Sequence, residues 1–126
     1  MNVIFFPIHT APEKLSKITE TARLHFTRSE PILFFVPDET AWKFLNELLW
    51  KIPPESFLPH PSKLIHIRLK LDPQVLAVFN LCPDPVPHNG LKTLYEFEDH
   101  SSPDRKQLSD AKYQTYKTLG LPIAFE

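Results

Sequence analysis

The chain has 126 residues, 42% of them hydrophobic and 23% charged, which suits one globular domain with a real core and excludes a disordered chain. Fourteen Lys and Arg against 15 Asp and Glu leave a net charge of -1, so the whole chain lacks the electrostatic footprint of a duplex nucleic-acid binder and any charged partner must meet a local patch. One cysteine, Cys82, excludes an internal disulfide and a multi-cysteine metal site, and two isolated glycines, Gly90 and Gly120, exclude a glycine-loop phosphate cradle.

Val3 to Ile8 (VIFFPI) has the composition of a buried strand, with Pro7 near its end where a missing donor matters least. No basic segment precedes this run and charged residues soon follow, so neither a secretory signal nor a membrane span is expected and the setting is cytoplasmic. From Pro12, the segment PEKLSKITETARLHF places Leu15, Ile18, Ala22 and His25 at helical spacing, with Thr10 or Ala11 before it and Glu13 in its first turn. Ile32 to Val36 (ILFFV) is a second buried strand, and Asp38 can cap a helix from Glu39 to about Trp50. This strand, helix, strand, helix order favours parallel pairing. The second helix carries Ala41, Leu45, Leu48 and Ile52 beside Trp42, Phe44 and Leu49, an apolar face wider than a surface helix needs.

Leu49 to His60 (LWKIPPESFLPH) then sets Trp50 and Phe57 among three prolines, the pattern of a stiff apolar loop on the surface. Leu64 to Leu69 alternates as a half-exposed strand does, and Val75 to Leu81 (VLAVFNL) is apolar enough to be central. Cys82 to Gly90 holds three prolines and ends in Asn-Gly, which favours a type I′ turn into an edge strand at Leu91 to Phe97. The last helix has Ser102 as cap, Pro103 at its first position, Asp104 beside its dipole and Gly120 as its C′ stop. The expected fold is one α/β domain over residues 1–126: three layers, three helices, and a mixed, mostly parallel sheet of about five strands.

Catalytic chemistry has no positive sign. The six histidines form no HExxH or similar pair, so no metal or other cofactor is expected. A phospho-accepting receiver domain would need acids after strand one, where Ile8, His9 and Thr10 stand. No serine lies in a G-x-S-x-G elbow, and capping and dipole complementarity account for Asp38 and Glu39. The alternative is a small α/β enzyme with its ligand beyond the strand ends near Ile8, Val36 and Leu81, which would require His9, Asp38 and Cys82 to converge in a cavity there. On the last helix, 100° steps gather Leu108, Ala111, Thr115 and Leu119 as the expected core face, and Lys106, Asp110, Tyr113 and Lys117 opposite, flanked by Arg105 and Lys112. A ring among cations suits an acidic peptide with an aromatic end or, as a rival, single-stranded DNA.

DETAWKFLNELLWKIPPESFLPH resembles the helix and loop of the chi subunit of bacterial DNA polymerase III, with an acid pair, an amphipathic helix, Leu-Trp, a proline and Glu-Ser-Phe-x-Pro-His in the same order. KQLSDAKYQTYKTLG is similar to that family's closing helix at Lys106, Gln107, Leu108, Tyr113, Tyr116 and Gly120. The resemblance implies a Rossmann-like fold without a glycine-rich nucleotide loop. It also implies a non-enzymatic adaptor that needs no cofactor, is attached to the clamp loader, and grips the acidic Pro-Phe-ended tail of single-stranded DNA-binding protein, meeting DNA only indirectly and no membrane. Lys106 and Tyr113 carry over to the tail site, and helical geometry adds Arg105, Lys112 and Lys117. Trp50 and Phe57, stiffened by Pro53, Pro54 and Pro59, match the family's surface for the psi subunit or a helicase partner. The chain departs from the family at Asp110 and Gln114, which stand at basic positions, in a shorter stretch between Pro59 and Leu64, and in FFPIH, which lacks the usual Phe-Tyr pair.

Overall fold

The computed structural model describes residues 2–50, 64–86 and 90–126, and of Trp50 it describes the backbone alone. Six strands and three helices follow in the order β1 (Asn2–Ile8), α1 (Ala11–Thr27), β2 (Ile32–Phe35), α2 (Glu39–Trp50), β3 (Ile65–Arg68), β4 (Ala77–Asn80), β5 (Thr93–Asp99), α3 (Pro103–Thr118) and β6 (Ile123–Phe125). They form one sheet of order β3-β2-β4-β5-β1-β6 in which every pairing is parallel. The pair β1–β5 runs in register from Asn2 opposite Thr93 to Ile8 opposite Asp99.

Strand alternation sends successive side chains to opposite sides, and in the central strands both sides are covered, which is why VIFF, ILFF and AVF are continuous apolar runs. Toward α1 and α2 point Phe6, Ile32, Phe34, Ile67, Phe79 and Tyr95, with Ile18, Ala22, Leu45 and Leu49 from the helices. Toward α3 point Val3, Phe5, Leu33, Val78 and Leu94, closed by Tyr116. The helices start where their caps place them. Thr10 Oγ accepts from the Glu13 amide at 3.3 Å, Asp38 Oδ1 from Ala41 at 2.8 Å and Ser102 Oγ from Arg105 at 3.2 Å.

Three features differ from the sequence expectation. The sheet is wholly parallel, with a sixth strand, IAF, formed after Gly120 turns the chain at φ 75 and Pro122 O accepts from Val3 N at 2.9 Å. Leu91 to Phe97 was expected at an edge, but β5 is central, between β4 and β1. A two-residue hairpin cannot join parallel strands, so the link from Asn80 to Thr93 has to bring the chain from the carboxyl end of β4 back to the amino end of β5, where Lys92 N donates to Leu76 O at 2.8 Å, and Gly90, at φ 79, turns just before that point. Finally, α3 faces the sheet with a different stripe of residues, which bears directly on the site.

Candidate functional site

The sheet surface beneath α3 is not uniformly apolar, because Glu96 of β5 points into it with no exposure to solvent. A helix covering a carboxylate must bring hydrogen-bond donors. Accordingly α3 buries Ser109, Lys112 and Tyr116. Lys112 Nζ donates to Glu96 Oε1 at 3.0 Å and to Cys82 O at 2.6 Å, while Tyr116 Oη and Asn80 Nδ2 donate to Glu96 Oε2 at 2.6 and 2.8 Å. Burial pushes the Glu96 carboxyl up, against the pull of the Lys112 ammonium and these donors, and burial likewise pushes up the Tyr116 hydroxyl. Tyr116 Oη also accepts from Val86 N at 3.0 Å, so the network clamps the β4–β5 crossing against α3. The expected core face of Leu108, Ala111, Thr115 and Leu119 is instead turned outward, with Leu108 47% and Leu119 49% exposed. Hydrophobic periodicity failed because the covered surface is itself charged.

This rotation divides the five α3 residues expected to hold a tail. Lys112 lies inside, its ammonium occupied by Glu96 and Cys82, so it is a fixed element of the core and not a surface cation. Arg105 lies on one side of the helix, largely exposed, with Nη1 3.9 Å from Asp99. Lys106, Tyr113 and Lys117 lie on the other. Tyr113 is half-buried, edge-on to Phe5 at 6.0 Å between centroids and 5.8 Å from the exposed ring of Phe125 on β6. Lys117 Nζ stands 5.8 Å from the Tyr113 centroid, within cation–π reach. One turn before Tyr113's own, Asp110 takes a hydrogen bond from Lys106 at 2.5 Å, which raises the Lys106 pKa.

Among the proposed partner-loop residues, Pro53, Phe57, Pro59 and the side chain of Trp50 lie outside the described residues. The other tryptophan, Trp42, is turned inward and donates Nε1–H to Ile67 O at 2.9 Å.

Across the carboxyl ends of β4 and β5 runs a groove of about 600 Å³ whose walls include Leu15, Phe44, Leu81, Phe97, Arg105 and Leu108. Cys82 lines it, with its thiol pushed up to about 11 by burial, too high for a thiolate at neutral pH. His9 and Asp38 do not line it. His9 stacks on His100 at 4.7 Å, and Asp38 caps α2. Among the described residues, no three His, Cys, Asp or Glu side chains gather as a possible metal ligand set. Beside the groove, Asp99 binds Lys14 and accepts from Ser101 N and Oγ at 3.0 and 2.5 Å, and its own amide donates to Ser109 Oγ at 2.9 Å. Burial acts to raise the Asp99 pKa, but the Lys14 and Ser101 hydrogen bonds outweigh it and leave the carboxyl below its ordinary range. Neither the Glu96 network nor this node was foreseen. The available signal was the three acids Glu96, Glu98 and Asp99 in LYEFED, which an all-apolar central strand would not carry.

No curated protein matches the chain. No helix among the described residues is long and apolar enough to cross a membrane. The family model described as DNA polymerase III chi subunit, HolC, matches residues 1–124, nearly the whole of the fold and both surfaces of α3 included. The chain therefore belongs to the DNA polymerase III chi subunit family, accessory subunits of the replicative polymerase.

Proposed function

We propose that the protein is a non-catalytic adaptor of the replication machinery, linking the clamp-loader complex to the acidic C-terminal tail of single-stranded DNA-binding protein. The observation that carries this reading is the ridge on α3 and β6, where Tyr113 and Phe125 stand side by side and Lys117 lies over the Tyr113 ring. Such a ridge offers an apolar seat for a terminal Phe and cations for the acids before it. Lys106 joins it when an incoming carboxylate competes with Asp110 for the ammonium. Arg105 sits on the far side of α3 and is assigned to the groove instead, and Lys112 contributes by fixing the helix. On the clamp-loader side, Trp50, Pro53, Phe57 and Pro59 remain the proposed anchors for a psi-like subunit or a helicase.

An exposed ion pair contributes roughly 0.2 to 1 kcal/mol and a buried aromatic ring about 2 kcal/mol, so the ring sets specificity and the lysines govern encounter. The test is a fluorescence titration with an acidic Pro-Phe-ended peptide at two salt concentrations. Micromolar binding is expected, with affinity falling as salt rises and collapsing when the final Phe is removed. Equal affinity for the shortened peptide rejects the seat.

A further inference from the structure

We propose that the groove across the ends of β4 and β5 is a second docking site, taking an internal partner segment that presents a bulky apolar side chain beside an Asp or Glu. It lies on the opposite side of α3 from the Tyr113 ridge and goes beyond the tail-binding reading. Its size falls in the range of built ligand sites, about 300 to 1,000 Å³. Two of the large apolar side chains exposed among the described residues, Phe44 of α2 at 55% and Leu108 of α3 at 47%, come from different helices and line this one concavity. Leu15 and Phe97 also line it.

Charge selects the occupant. The charged residues lining the groove are Lys14, Arg105 and Lys112 against Asp99. Lys14 is held by Asp99, and Lys112 is neutralised from below by Glu96. That leaves Arg105, whose side chain is 61% exposed and whose Nη1 is 3.9 Å from an Asp99 carboxylate that already serves Lys14 and Ser101. An arginine at the mouth of an apolar groove complements a carboxylate next to an apolar anchor, and it can turn from Asp99 to a bidentate pair with little loss. The buried Glu96 network and the Asp99 node keep both walls in place before the partner arrives, so little ordering is needed on docking.

The probe is a peptide blocked at both ends, Ac-Asp-Glu-Leu-Phe-Asp-Glu-amide, titrated into the isotope-labelled full chain and followed by amide chemical shifts. Expected are shifts at Leu15, Phe97 and Leu108. Leu108→Glu should weaken binding about tenfold or more, and Arg105→Glu several-fold, more at low salt. Lys117→Glu, on the other side of α3, should leave it unchanged, and the unperturbed part of each spectrum verifies folding. The blocked peptide and the Pro-Phe-ended peptide should bind together. Shifts confined to Tyr113 and Phe125, indifference to Leu108→Glu, no shifts at all, or displacement of one peptide by the other overturns the second site. Failure of the Pro-Phe-ended peptide to bind while the groove shifts persist would instead reject the tail reading alone.

Discussion

The two faces of this sheet are covered by different physics. Under α1 and α2 the contacts are mainly aromatic and apolar: Phe79 lies 6.0 Å from Phe6, 5.7 Å from Phe34, 5.6 Å from Tyr95 and 5.1 Å from Phe97, ring centroid to ring centroid. Under α3 the same sheet presents Glu96, and the contact there is a set of directional hydrogen bonds from Lys112, Tyr116 and Asn80. Apolar packing rewards burial in many orientations, whereas a hydrogen-bonded carboxylate accepts only the rotation of α3 that delivers its donors. α3 is thus the helix whose rotation is keyed. Turning α3 by one residue would strand Glu96 and would also move Tyr113 away from Phe5 and Phe125.

The sharpest way to break that contrast is Lys112→Met. It leaves Glu96 buried without its cation, and removing one member of such a pair costs about 3 to 5 kcal/mol. Urea unfolding followed by circular dichroism should show that loss, and adding Glu96→Leu to Lys112→Met should recover most of it. A change below about 1 kcal/mol in the single variant would mean that Lys112 is a solvated surface cation and that α3 is turned as its hydrophobic pattern suggests.

That same contrast explains what the sequence made readable. The strands β1, β2 and β4, the helices α1 and α2, and the caps Thr10, Asp38 and Ser102 follow rules of period and local chemistry, and each stands where those rules put it. Rotation of α3 follows from a long-range fact, the charge on β5 in the sheet beneath, which no window along the helix contains. Leu108 and Leu119 therefore looked like core and are exposed, while Lys112 looked like surface and is buried. β5 was misplaced for a related reason. Asn89-Gly90 is a hairpin signal locally, but the all-parallel pairing decides the link, and pairing partners are set across the sheet. Of the site, the order Lys106, Tyr113, Lys117 was readable from helical spacing. Phe125 was not, since it joins Tyr113 only because β6 pairs with β1.

A second prediction probes the α1 and α2 face at a buried polar joint. Buried His25 bridges α1 to β5, with Nδ1 3.0 Å from Glu30 O and Nε2 2.8 Å from Tyr95 Oη. Neutral imidazole fits both: Nδ1–H donates to the carbonyl and Nε2 accepts from the phenol. Burial lowers the His25 pKa, with Arg28 acting in the same direction and Glu30 opposing. Between this lowered value and the ordinary 6.5 the unfolded chain binds more protons than the folded one, so His25's contribution is whole above 6.5 and declines as pH falls through that window. Urea midpoints measured above and below 6.5 should therefore drop more for the native protein than for His25→Gln, whose amide can make both bonds without titrating. Glu96 titrates in both proteins and cancels in the difference. Parallel pH profiles would place the charged form of His25 in the fold.

The smallest effect on stability should come from the ridge itself. Lys117 is exposed and its contact with Tyr113 is a surface cation–π pair, so Lys117→Ala should move the unfolding free energy by no more than about 0.5 kcal/mol. Its effect on the acidic tail peptide should be larger than its effect on the fold: a few-fold weaker affinity at low salt, shrinking toward none at about 0.5 M, where the screening length is only a few ångströms. Tyr113→Ala should weaken the same peptide at every salt concentration, because the ring supplies apolar contact that screening does not touch. If both variants lost affinity in parallel with salt, the ridge would be acting through charge alone. The orientation that Glu96 enforces on α3 would then serve to place lysines, with the Tyr113–Phe125 pair no more than their support.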